Sequence, residues 1–140
     1  GGAGVREKTV AATLENLEQV QAFIEQELQA AGCSPKAMLQ ISVAVEEIYV
    51  NIAHYAYHPE VGEATVRCAV GGAPLQVTVQ FLDSGKPFDP LAKPDADTTL
   101  SAEERQIGGL GILMVKKSMD AVDYRYENGK NILTLRKSIS

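Results

Sequence analysis

Tryptophan is absent from the 140-residue chain, and cysteine and histidine occur only twice each. Cys33 and Cys68 show no CxxC spacing and have no histidine near them in sequence, so neither a zinc site nor a disulfide framework is expected. Basic residues are outnumbered, 13 Lys and Arg against 18 Asp and Glu, and form no block. A surface that binds nucleic acid by neutralising phosphates is therefore not expected. No apolar run approaches the ~20 residues that cross a bilayer, and no stretch has the form of a signal peptide. The expectation is a cytoplasmic protein without a membrane segment. No initiator methionine is present either, and Gly1 to Gly4 precede any periodic pattern. Residues 1–4 read as a remnant of expression and 5–140 as one domain.

What the chain does have is 45% hydrophobic residues, enough for a sizeable core. Val5 to Thr13 mixes charged and β-branched residues and reads as a short strand. Leu17, Val20, Phe23, Ile24 and Leu28 recur at three-to-four spacing before Gly32, which predicts an amphipathic helix over Leu14 to Ala31. Ser34-Pro35 supplies an N-cap and a first helical position. The second helix then runs through Met38, Leu39, Ile41, Val45, Ile48, Tyr49 and Ile52 to a break at His58-Pro59. Ala64 to Val70 and Leu75 to Leu82 read as strands joined through Gly71-Gly72-Ala73-Pro74. After Leu82 about 25 polar residues without apolar periodicity reach Ile107, a length that marks a functional or disordered loop. Gly108 opens a third helix to Ser118, and Asn128-Gly129 joins strands over Ala121 to Tyr126 and Ile132 to Lys137. This order predicts an α+β fold, a two-layer α/β sandwich with a mixed, mostly antiparallel sheet and helices on one face.

Three polar groups stand out against that frame. Glu47 and Asn51 lie four residues apart on the second helix and project side by side. A carboxylate next to a carboxamide can accept a proton and offer a neutral oxygen to Mg²⁺, although a solvated helix face has the same pattern. Asp83-Ser84-Gly85 ends a strand in a sharp turn. The aspartate either caps its own backbone or accepts a hydrogen bond from an exocyclic amine such as adenine N6, with Gly85 admitting close approach. Gly108-Gly109-Leu110-Gly111 is either a hinge or a cradle of main-chain N–H groups for phosphate oxygens at a helix start.

Taken together, Glu46 to Tyr57 (Glu-Glu-Ile-Tyr-Val-Asn-Ile-Ala-His-Tyr-Ala-Tyr), Asp83 to Pro90 (Asp-Ser-Gly-Lys-Pro-Phe-Asp-Pro) and Ile107 to Ile112 (Ile-Gly-Gly-Leu-Gly-Ile) resemble the N, G1 and G2 boxes of the GHKL ATPase superfamily. Within it they resemble the bacterial anti-sigma-factor serine/threonine kinases, from about Val5 onward. The resemblance implies a Bergerat ATP site with Glu47 as general base, Asn51 holding Mg²⁺, and Asp83 and Gly85 at adenine. Gly108, Gly109, Leu110 and Gly111 would surround the phosphates, and Lys86 to Ile107 would form a lid, in which Arg105 either meets the γ-phosphate charge or is a solvated lid arginine. Two departures from the pattern are Pro87, where many members have a second G1 glycine, and Tyr55, where a histidine often stands. The implied partners are an anti-anti-sigma factor as phosphorylation substrate, a sigma factor, and a second copy in a homodimer. A non-catalytic, ATP-dependent binding module and a split histidine-kinase-like ATPase are the alternatives. His54 and His58 read as packing or capping residues.

Overall fold

Alternating apolar and polar residues build five strands, and three-to-four periodicity builds the helices laid across them. The computed structural model describes residues 5–57, 59–87, 89 and 110–139. In chain order these form β1 (Val5–Ala11), a 3₁₀ turn (Leu14–Asn16), α1 (Leu17–Ala30), α2 (Pro35–Asn51), a π-helical turn (Ile52–Ala56), β2 (Glu63–Gly71), β3 (Gln76–Asp83), α3 (Leu110–Ser118), β4 (Ala121–Glu127) and β5 (Lys130–Ser138). The strands lie in the order β1-β2-β3-β5-β4, and the four pairings among them are antiparallel.

Every second residue of the inner strands points to the helices. Ala64, Val66 and Cys68 of β2, Val77, Val79 and Phe81 of β3, and Leu133 and Leu135 of β5 are buried there against Val20, Ile24 and Leu28 of α1 and Ile41, Val45 and Ile48 of α2. This is the two-layer α+β arrangement expected from the order of elements. The other face carries polar ladders, among them a Thr9–Thr65 hydroxyl pair at 2.8 Å and Gln80 Nε2 donating to Thr134 Oγ1 at 3.2 Å. Tyr49, fully buried on α2, brings its hydroxyl within 2.6 Å of the Thr13 carbonyl and 3.1 Å of that of Ala11, tying the end of β1 to the helix layer.

Helix starts and turns follow local chemistry. Ser34 Oγ accepts from the Ala37 N–H at 3.2 Å, with Pro35 first in α2, as a capped start requires. Asn128 and Gly129 both take positive φ, 53° and 76°, the geometry of a type I′ hairpin. Two elements differ from expectation. The first helix opens with a 3₁₀ turn, after which Asn16 leads into α1 while its side-chain amide donates back to the Ala11 carbonyl at 2.8 Å. The second does not remain α-helical to His58; it widens at Ile52 into a π turn whose last residue, Ala56, accepts from the Lys86 N–H at 3.0 Å.

Candidate functional site

At the C-terminal end of α2 two side chains from the predicted site sit one turn apart. Asn51 is buried, and its Nδ2 donates to the Glu47 backbone carbonyl at 2.9 Å. Because a carbonyl can only accept, that bond fixes which way the amide points. Asn51 Oδ1 accepts nothing among the described residues. Glu47 is half-buried; burial, and then the neighbouring charge of exposed Glu46, push its carboxyl above the usual range.

Asp83 ends β3, where the strand runs beneath the tip of α2. Its Oδ1 accepts from the Gly85 N–H and from Asn131 Nδ2, each at 2.9 Å. Burial pushes its carboxyl up, and these two donors, Asn131 and then Gly85, pull it back. Oδ2 accepts nothing among the described residues. Gly85 is pressed onto the π turn: a Cβ there would lie 2.2 Å from the Ala56 carbonyl oxygen and 2.6 Å from its carbon. The absence of a side chain therefore serves contact with the end of α2. Tyr57 completes the junction, its hydroxyl accepting from the Ser84 N–H at 2.7 Å and donating to the Glu63 carbonyl at 2.6 Å.

These groups meet in an open pocket that encloses about 450 Å³ of empty space, mouth included. Asn51 and Asp83 line it with Ile48, Ile52, Tyr55 and Ala56 from α2 and its π turn, Phe81, Lys86, and Tyr124, Asn131 and Leu133 from the last hairpin. Two buried polar side chains thus each keep an oxygen with no described partner on one apolar-walled pocket. Both oxygens reach the open pocket, since no fully inaccessible side-chain nitrogen or oxygen among the described residues lacks a partner, and so both can meet a ligand or water. The acceptor at Asp83 suits an exocyclic amine, and the one at Asn51 suits a donor or a hard cation.

Glu47 is not part of the pocket wall, although it lies one helical turn from Asn51. Pro87 follows the turn and is exposed. Leu110 opens α3, so Gly111 falls in its first turn, where main-chain N–H groups lack intrahelical partners. Arg105, Gly108 and Gly109 lie outside the described residues, as does His58. His54 belongs to the π turn, with its ring tilted 49° to that of Tyr55. Sequence reasoning missed Asn131 and Tyr124. The available signal was an asparagine, a poor strand former, at a core-facing position just after the Asn128-Gly129 turn.

A sandwich of this topology with its pocket at the tip of α2 is the histidine kinase-like ATPase domain. The profile of that family matches residues 10–137, and the chain belongs to it. The particular relatives are protein kinases. The chain is 32% identical over 108 residues to serine-protein kinase RsbW of Listeria monocytogenes serovar 1/2a, covering 74% of this chain and 68% of that protein. It is 24% identical over 102 residues to serine/threonine-protein kinase BtrW of Bordetella bronchiseptica, covering 73% and 71%. Among solved structures, that of the RsbU and RsbW domains of Rv1364c from Mycobacterium tuberculosis superposes with a TM-score of 0.71 at 18% identity, over 99% of this chain and 33% of that longer one. The SiaB–SiaC complex from Pseudomonas aeruginosa gives 0.55 at 19% identity, over 93% and 88%. At these identities the structures show a shared fold. The resemblance read from the three boxes is borne out, and membership implies ATP as ligand and a kinase or regulatory role. Among the described residues no helix is long and apolar enough to cross a membrane.

Proposed function

We propose that the chain is an ATP-dependent serine/threonine protein kinase of the cytoplasm that acts as an anti-sigma regulatory factor. It phosphorylates an anti-anti-sigma partner, sequesters a sigma factor and works as a homodimer. The observation that carries the nucleotide part is the pair of unpartnered oxygens, Asn51 Oδ1 and Asp83 Oδ2, on one pocket. The transfer part draws support from two relatives named as protein kinases on serine or on serine and threonine, and the partner part from a similar fold solved in complex with SiaC.

In this reading Asp83 accepts the adenine amine and Gly85 shapes the turn beside it. Asn51 would offer Oδ1 to Mg²⁺, a cation that takes few protein oxygens. When bound, the ion neutralises charge on the phosphate oxygens. Gly108, Gly109, Leu110 and Gly111 offer main-chain donors to the phosphates, and Arg105 meets the γ-phosphate. Pro87 follows the adenine turn. Glu47 accepts the proton of the incoming hydroxyl as its oxygen bonds to the γ-phosphorus and the bond to the bridging oxygen breaks, releasing ADP. A carboxyl held above its usual range is closer to the pKa such a base needs.

Incubation with γ-labelled ATP and an anti-anti-sigma domain tests the reading. Wild type is expected to label a serine or threonine, and Glu47→Ala to bind ATP with transfer lowered ~10²–10⁴-fold. Transfer by Glu47→Ala at the wild-type rate would remove Glu47 as base. Bound nucleotide with no labelled partner would leave a binding module, and an acid-labile product would point to histidine.

A further inference from the structure

The ATP-site reading leaves Asn131 and Tyr124 without a role, although both line the pocket. Asn131 stands opposite Asp83 in the β3–β5 register, and Tyr124 lies diagonally across the β4–β5 ladder, where Leu133 is its direct partner. Long side chains reach such diagonal neighbours. Asn131 is buried, and its Nδ2 lies 2.9 Å from Asp83 Oδ1, 2.9 Å from the Lys86 carbonyl and 3.4 Å from that of Gly85. Its Oδ1 pairs with the Tyr124 hydroxyl.

The direction of every bond follows. Backbone carbonyls only accept, so the nitrogen of the Asn131 amide must face the turn and its oxygen must face Tyr124. Tyr124 must then donate. The same bonds fix the Asp83 carboxyl in its plane, since Asn131 and the Gly85 N–H both hold Oδ1. Only Oδ2 remains to meet a ligand, and it meets it as an acceptor. A base carrying an amine at that point pairs with it; a base carrying a carbonyl sets oxygen against oxygen in a buried site.

We infer that Asn131 and Tyr124 are positioning residues for base selection: by holding Asp83 Oδ1 they aim Oδ2 at the pocket and so favour a 6-amino over a 6-oxo purine. The inference rests on the ATP-site reading. Neither residue needs to touch the base, because both act through Asp83. A purely structural role, in which Asn131 only joins β5 to the turn after β3, would weaken all nucleotides alike.

The test is calorimetric titration of the full chain with Mg-ADP and with Mg-IDP, which differ in a 6-amino against a 6-oxo group, with the melting temperature of each variant measured alongside. Wild type is expected to prefer ADP by at least ~10-fold, the lower end for a hydrogen bond to a charged group. Asn131→Ala should bring the ADP/IDP ratio toward one, mostly by weakening ADP. Asn131→Thr, whose hydroxyl can donate to Asp83 Oδ1, should restore part of it. Tyr124→Phe removes a single oxygen from a half-buried side chain, so it decides the matter if Asn131→Ala fails to fold, and its ratio should also fall. An unchanged ratio in the folded variants, with both affinities reduced equally, overturns the inference, as does a wild type that prefers IDP or binds both alike. A wild type that binds neither nucleotide would instead overturn the ATP-site reading itself.

Discussion

Glu47 works against the stability of the chain that carries it. Its carboxyl titrates above the ordinary value of 4.5 because burial and Glu46 disfavour the charge. Below that ordinary value both folded and unfolded forms are protonated, and nothing is lost. As the pH rises, the unfolded chain ionises first and stability declines until the folded carboxyl also ionises. Glu47→Gln is therefore expected to melt higher than wild type at pH 7, with the gain vanishing near pH 4 in paired thermal scans. An equal gain at both values would assign the effect to packing instead of charge. Glu47 and Asn51 were legible in the sequence because the helix repeat brings i and i+4 together, and Asp83 because it ends an alternating run. Asn131 was not, since its partners Asp83 and Lys86 lie more than 40 residues away and meet it only through the β3–β5 register.

The end of α2 and the turn after β3 behave as one joint. Gly85 lies against the Ala56 carbonyl, Lys86 N–H bonds to it, and the Tyr57 hydroxyl bridges Ser84 and Glu63. Gly85→Ala would place a Cβ against backbone that cannot rotate away, an overpacking expected to cost about 1–3 kcal/mol. Circular dichroism melts should show a fall of several degrees, together with weaker nucleotide binding. Gly71→Ala, where a Cβ meets nothing within 4 Å, should melt like wild type. If the two variants melted alike, the joint would have no energetic weight. Apolar period predicted the strands, helices and the Asn128-Gly129 hairpin to within a few residues. It could not show the π turn, because widening at Ile52 brings Ala56 to a segment some 30 residues further on, a tertiary contact that helix propensity does not encode.

The whole sandwich shields one of its two thiols. Cys68 lies in the core, where burial, and then the charge of Glu27, push its thiol up to about 12, while Cys33 is partly accessible. A thiol reagent is expected to modify one cysteine per folded chain and two in denaturant, with Cys68 slower by at least ~10³-fold under native conditions. Modification of both at similar rates would mean that the two layers part readily. The layers themselves follow from the order of elements. The placement of β5 between β3 and β4 does not, and it has a temporal meaning. A chain emerging from the ribosome presents Asn51 and Asp83 long before Asn131 and Leu133, so the pocket wall supplied by the last strand arrives only when synthesis has passed residue 133. A ligand in this pocket would therefore stabilise only chains in which β5 has taken its place between β3 and β4.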